Sequence, residues 1–186
     1  MREMVQGMSL AFLFLGWRCR IVQMSSHRDA KPQPRLARFA DGEKIARLIN
    51  AAFRLAENFF IDSDRITVSE VEELLRKGWF LLVDDGDALA GCVYIELRGE
   101  RAYLGLLSVN PELQKSGVGS SLMSAGEAYC RQQGCSFMDI LIVNRREDLP
   151  AFYKSRGYVE TGTAPFPADV ITKLPVHFIK MAKKLD

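Results

Sequence analysis

The residues with the plainest chemical use are Gln114-Lys115-Ser116-Gly117-Val118-Gly119, which join the apolar run Leu104 to Val109 to an amphipathic stretch. The first N–H groups of a helix have no internal partner, and the helix dipole makes that end positive. Gly117 and Gly119 carry no Cβ, so a ligand can approach bare backbone there. Lys115 adds a mobile positive charge at the lip. Together, residues 114 to 120 form an anion cradle suited to a phosphate or pyrophosphate, acting mostly through backbone N–H groups. Two better-known cradles do not fit. A Walker A loop needs Gly-Lys-Ser/Thr, and here Ser120-Ser121 follows Gly119. A dinucleotide fingerprint needs a third glycine where Leu122 stands, and Pro111 to Ser116 intervene after the strand, so the position of Asp139 at ribose-acid distance is coincidence.

The elements around the cradle follow from hydrophobic period and turn chemistry. Leu104 to Val109 is a short buried strand ended by Asn110-Pro111. Val118, Leu122, Met123, Gly126, Tyr129 and Cys130 recur at helical spacing, with Gly134 at the C-cap. Upstream, Arg35 to Phe39 is a weak strand. Asp41 caps a helix whose stripe is Ile45, Leu48, Ile49, Ala52, Phe53 and Ala56. Asn58 to Arg65 is a loop. Thr67 and Glu70 form a capping box for a second helix ended by Gly78. Trp79 to Val83 and Leu89 to Leu97 form a hairpin whose turn carries Asp84, Asp85 and Asp87. That run is a solvated turn, because the spaced calcium loop is missing. Downstream come strand Phe137 to Val143, helix Leu149 to Arg156, strand Tyr158 to Thr163, and strand Val176 to Met181. The order is β, α, α, β, β, β, α, β, α, β, β.

With LLSVNP before it and the helix after it, Gln114-x-x-Gly117-x-Gly119 resembles the signature of the GNAT superfamily of acyl-CoA-dependent N-acyltransferases. A second stretch, NRREDLPAFYKSRGY from Asn144 to Tyr158, resembles the family's other hallmark. There an Asn ends a strand, and a helix with Phe-Tyr precedes a Gly-Tyr strand start. The resemblance covers about residues 34 to 185. It implies an α/β (α+β) fold with a mixed, mostly antiparallel sheet of six to seven strands, splayed at its central pair and flanked by about four helices.

The resemblance also implies roles. Acetyl-CoA is the co-substrate, and no metal takes part. Gln114, Lys115, Ser116, Gly117, Val118, Gly119 and Ser120 hold its pyrophosphate. The backbone of Leu107, Ser108 and Val109 receives pantetheine, and the Leu107 N–H polarises the thioester carbonyl. Tyr153 donates to the departing thiolate, and Asn144 orients the cofactor or a water. The residues themselves leave the base for the amine open, with Glu96 and His177 as candidates. Each of them has an ordinary structural role as its competing explanation. Arg65, Arg145 and Arg146 are candidates for binding a carboxylate on the acceptor, against the alternative of solvated surface arginines. The acceptor pocket is expected between Asn58 to Thr67 and Ala164 to Val176.

The 186 residues, 48% of them apolar, suit one domain over residues 34–186. A net charge of +2 points to neither nucleic acid nor membrane as partner. Cys19, Cys92, Cys130 and Cys135, with His27 and His177, show no zinc spacing, and reduced thiols suit a cytoplasmic protein. Residues 1–33 read as an extension outside the fold. Met8 to Trp17 is apolar but too short to span a bilayer as a helix, and it lacks a signal-peptide cleavage site. The polar leader from Met24 fits an upstream start codon. The expected activity is acetyl transfer by direct attack of a primary amine on a small or amino-acid-like acceptor. A protein N-terminus or lysine, or non-catalytic acyl-CoA sensing, is the alternative, and a homodimer is allowed.

Overall fold

The computed structural model describes residues 33–186. The expectations for the leader, including its apolar run, lie outside the described residues. The elements run β1 (Arg35–Leu36), α1 (Gly42–Glu57), α2 (Val68–Lys77), β2 (Trp79–Asp85), β3 (Ala88–Arg98), β4 (Arg101–Val109), α3 (Val118–Gln132), β5 (Phe137–Val143), α4 (Asp148–Lys154), β6 (Val159–Pro165) and β7 (His177–Lys184). Their order is the one expected, in a single seven-stranded sheet ordered β1-β2-β3-β4-β5-β7-β6. Every neighbouring pair is antiparallel except β4 with β5.

Strand alternation sorts the core onto two faces. Phe80, Leu82, Cys92 and Tyr94 pack against Ile45 and Ile49 of α1 and Val71 of α2. Their neighbours Leu81, Val83, Val93, Ile95 and Leu104 pack against Leu122 and Met123 of α3 and Tyr153 of α4. A β-strand turns successive side chains to opposite faces. So α1 and α2 cover one side of the sheet, and α3 and α4 cover the other.

Two local expectations shift and a third holds. Asp41 sits at the N-cap position of α1 but makes no side-chain cap bond. Its carboxylate instead accepts from the Arg38 N–H at 2.8 Å and from the Arg35 guanidinium at 2.9 and 3.0 Å. A guanidinium fork outcompetes a neutral amide for a carboxylate. Asp84 and Asp85 extend β2 rather than the turn, and Asp84 is the second anchor of Arg35 at 2.6 Å. The Thr67–Glu70 capping box forms as expected, with reciprocal bonds of 3.2 and 2.7 Å.

Candidate active site

Strands β4 and β5 pair only at Arg101–Phe137, Ala102–Met138 and Tyr103–Asp139, and then separate. The cause lies in β4. Opposite β3, Tyr94 pairs with Gly105 and Cys92 with Ser108, so Leu106 and Leu107 together face Val93 in a bulge. Leu106 takes a positive φ of 52°. Such a backbone costs a non-glycine residue on the order of 1–3 kcal/mol, and it persists where neighbours enforce it. The bulge reverses the alternation, so Leu106 turns to the α1 face and Leu107 to the α3 face. Beyond it, β4 and β5 border a cleft of about 700 Å³.

The α3 side of this cleft carries the turn. Gln114, Lys115, Gly117, Val118, Gly119 and Ser120 line it, whereas Ser116 does not and turns its hydroxyl to the Leu113 carbonyl at 2.6 Å. Gly117 is the N-cap of α3 with φ 91°, a value that glycine alone adopts freely. Lys115 has φ 65°, and with Leu106 it is one of two non-glycine residues at positive φ among those described. Both line the cleft. The helix start is set against the sheet by Gly91, where a Cβ would lie 2.6 Å from Val118 and 2.8 Å from Leu122. Nothing lies within 4 Å of where a Gly117 Cβ would stand, so the backbone at this helix start is open to a ligand, and N–H groups there suit a phosphate. Arg156 also lines this side, 3.6 Å over the Phe152 ring and 2.8 Å from the Ser120 hydroxyl. It escaped sequence reasoning, since one arginine after a short helix carries no pattern.

Tyr153 lines the middle of the cleft, buried edge-to-face between Phe152 and Tyr158. Burial pushes its phenol up to about 12, so the group keeps its proton and is a hydrogen-bond donor at neutral pH. Leu107, Ser108 and Val109 line the same stretch.

The α1 side holds Ala52, Phe53, Ala56, Glu57, Arg65 and Tyr103. Glu57, in the last turn of α1, is only 3% exposed, and its Oε2 has no hydrogen-bond partner. Leaving a buried polar atom unpaired costs about 1–3 kcal/mol, and more for a charge. Burial raises the Glu57 pKa above the ordinary carboxylate value, and the charges of Arg65 and Arg146 offset this only in part. Arg65 has its own buried unpaired atom, Nε, and stacks 5.2 Å over Phe53. Its backbone is held by Asn50 of α1, whose Oδ1 accepts from the N–H groups of Arg65 and Ile66 at 2.9 and 3.0 Å. The two expected acceptor loops meet at Lys173, whose N–H donates to the Phe60 carbonyl at 2.9 Å and whose ammonium pairs with Asp62 at 2.6 Å.

The remaining expected site residues are bonded elsewhere or lie outside the cleft. Arg146 lines the cleft but is bonded by a double fork to Asp148 at 2.8 and 2.9 Å. Arg145 is exposed and bonds the Pro175 carbonyl. Asn144 spends its side chain on the His177 N–H at 3.1 Å, joining the end of β5 to the start of β7. Neither it nor His177, which is exposed, borders the cleft. Glu96 is also away from it, clamped by Arg98 at 2.9 and 3.1 Å, and this pairing lowers its pKa.

A family model described as the acetyltransferase (GNAT) family matches residues 43–158. The chain belongs to the GNAT family. A sequence search of curated proteins gave no match. Solved structures share the GNAT fold at low identity. The ribosomal-protein-S18-alanine N-acetyltransferase of Escherichia coli superposes with a TM-score of 0.66 at 13% identity, covering 84% of this chain and 95% of that chain. A GNAT-family acetyltransferase of Staphylococcus aureus gives 0.66 at 17%, over 84% of this chain and 100% of that one. Nourseothricin acetyltransferase gives 0.65 at 17%, with the same coverages. In this GNAT domain no group of three or more His, Cys, Asp and Glu suited to a metal occurs among the described residues. No helix among them is long and apolar enough to cross a membrane.

Proposed function

We infer that this chain is an acetyl-CoA-dependent N-acetyltransferase whose acceptor is the primary amine of a small, amino-acid-like molecule, attacked directly. The observation that carries this reading is the cleft between β4 and β5. Its α3 side is lined by the glycine turn at a helix start, which supports an anion cradle, and its α1 side holds Glu57, whose buried Oε2 is unpaired. Acetyl-CoA supplies an activated acyl group as a thioester.

The roles of the chain's own residues follow. The turn from Gln114 to Ser120 holds the pyrophosphate through its N–H groups, with Lys115 and Arg156 as neighbouring positive charge. Backbone of Leu107 to Val109 lies where β4 has lost β5, and the Leu107 N–H stabilises negative charge on the carbonyl oxygen. Tyr153 donates a hydrogen bond to the departing sulfur. A phenol near 12 is a weaker acid than a thiol near about 8.5, so it supports the thiolate rather than surrendering its proton outright. Glu57 takes the proton of the amine. An alkylammonium near about 10.4 is mostly charged at neutral pH, and a carboxylate with a raised pKa is a better base for it than an ordinary one. The free buried thiols Cys92, Cys130 and Cys135 suit a reducing compartment such as the cytoplasm.

Thiol release from acetyl-CoA across a panel of amines tests this reading. Turnover of small amines is the expected result. Turnover of peptides alone moves the acceptor to protein, and tight acetyl-CoA binding with no turnover of any amine makes the protein a sensor. Gly119→Glu checks the cradle separately. A Cβ there meets only Val109, at 3.4 Å, so the fold should hold. The added carboxylate should fill and repel the pyrophosphate position, and calorimetry should show acetyl-CoA binding lost. A folded variant with unchanged affinity would remove the cofactor assignment.

A further inference from the structure

Two buried side-chain atoms without partners are found among the described residues, Glu57 Oε2 and Arg65 Nε. They have opposite charge and line the same cleft. Arg65 acts on Glu57 electrostatically, yet the two make no ion pair. Opposite charges within reach of each other in a poorly hydrated site normally close into one. Each is placed by a different element. Glu57 sits in the last turn of α1, whereas Asn50 holds the Arg65 backbone and the Arg65 guanidinium stacks over the Phe53 ring. Both side chains line the cleft, so an occupant of its α1 side with a positive and a negative end would meet a group of opposite charge at each.

The other charged groups do not fill that part. Arg146 is committed to Asp148, and Arg145 bonds a carbonyl outside the cleft. Elsewhere on the same kind of helix face the chain shows what a purely structural buried glutamate looks like. Glu127 of α3 accepts from Tyr158 at 3.1 Å and pairs with Lys183 at 2.6 Å. Glu57 has no such support.

Resting on the acetyltransferase reading above, we propose that the acceptor is a free amino acid, whose carboxylate is taken by Arg65 while its amine faces Glu57. Arg65 lines the cleft, a guanidinium matches a carboxylate, and one arginine balances one negative charge. The ammonium brings the positive end to Glu57, which then accepts its proton. Ala52, Phe53, Ala56 and Tyr103 leave an apolar wall for the amino acid's side chain. A peptide N-terminus has no carboxylate next to its amine, and a simple amine has none at all, so both leave the Arg65 charge unbalanced.

The test compares free amino acids with their amides and with the amines left after removing the carboxylate, all with acetyl-CoA. The acids should be favoured by about 10²-fold or more in kcat/KM, as sites that bond a polar group reject analogues lacking it. Arg65→Gln should raise KM for the acids while kcat changes little, and should flatten their preference over the amides. Arg65→Lys should recover part of it, and calorimetry should show acetyl-CoA affinity unchanged in both. Equal or better use of amides, simple amines or peptides by the wild type overturns the proposal and leaves the acetyltransferase intact. So does an enzyme that binds acetyl-CoA but turns over no amino acid. Loss of acetyl-CoA binding in the wild type defeats the parent reading instead. The wild-type comparison stands even where an Arg65 variant fails to fold.

Discussion

Glu57 and Glu127 are both buried glutamates on helices, one in the last turn of α1 and one inside α3, and their surroundings divide their roles. Glu57 follows Ile45, Ile49 and Phe53 at intervals of four, which places it on the buried stripe of α1. That spacing is visible in the sequence, but it does not reveal that no partner awaits the carboxylate, because the partners are set by tertiary packing. Tyr153 was legible because a motif frames it, whereas nothing frames Glu57. Two variants separate their roles. Tyr153→Phe keeps the ring between Phe152 and Tyr158, and turnover should fall about 10²-fold with little change in acetyl-CoA affinity. The loss should shrink for acyl donors with a more acidic thiol, and a loss independent of the thiol would mean packing alone. Glu57→Gln should lower kcat by a similar factor of about 10². The wild-type kcat/KM should fall toward acid with a midpoint above the ordinary carboxylate range, since burial raises this pKa. Stability should move the opposite way. A raised folded pKa contributes stability that is present below the unfolded value of about 4.3 and lost as pH rises through the folded value. Removing the charge should therefore raise the melting temperature at pH 7 to 8, and the gain should fade in acid. A variant less stable than wild type at neutral pH would show that Glu57 is paired in solution.

At the scale of elements, the strand, turn and helix around Gly117 were legible because period, Pro111 and the glycines agree on one reading. The bulge was expected only through resemblance, since Gly105-Leu106-Leu107-Ser108 has no composition that marks a positive φ at Leu106. The close seat of α3 on β3 was not anticipated either. Gly91 reads as a weak point in a strand, but it is the gap into which Val118 and Leu122 fit. Gly91→Ala puts a methyl 2.6 Å from Val118, so α3 must shift at its N-terminal turn. Overpacking of this kind costs roughly 1–3 kcal/mol. Melting temperature should drop, and acetyl-CoA affinity should weaken as well if the displaced turn holds the cofactor as proposed. A drop in stability with unchanged affinity would detach the cradle from the seat of the helix.

The whole molecule places the two proposed half-sites on opposite faces of one sheet, at either side of the cleft where β4 and β5 separate. Such a layout favours holding both substrates at once over passing the acetyl group through the protein. A covalent route needs a nucleophile beside a base. Among the described residues no cysteine lines the cleft, and its serines Ser108 and Ser120 are hydrogen-bonded to groups that are not bases. Cys92 is fully buried with its thiol pushed up to about 12, and Cys130 and Cys135 are buried away from the lining. The Ser108 hydroxyl donates to the Leu106 carbonyl at 3.1 Å, and that of Ser120 meets Arg156. Steady-state rates with both substrates varied should give intersecting double-reciprocal lines, the mark of a ternary complex. Mass spectrometry after incubation with acetyl-CoA alone should find no acetylated protein that the acceptor can then discharge. Parallel lines together with a dischargeable acetyl-protein would replace direct attack by a two-step transfer. Glu57 would then be serving a nucleophile of the chain rather than the amine, and Arg65 would have to act after that first transfer.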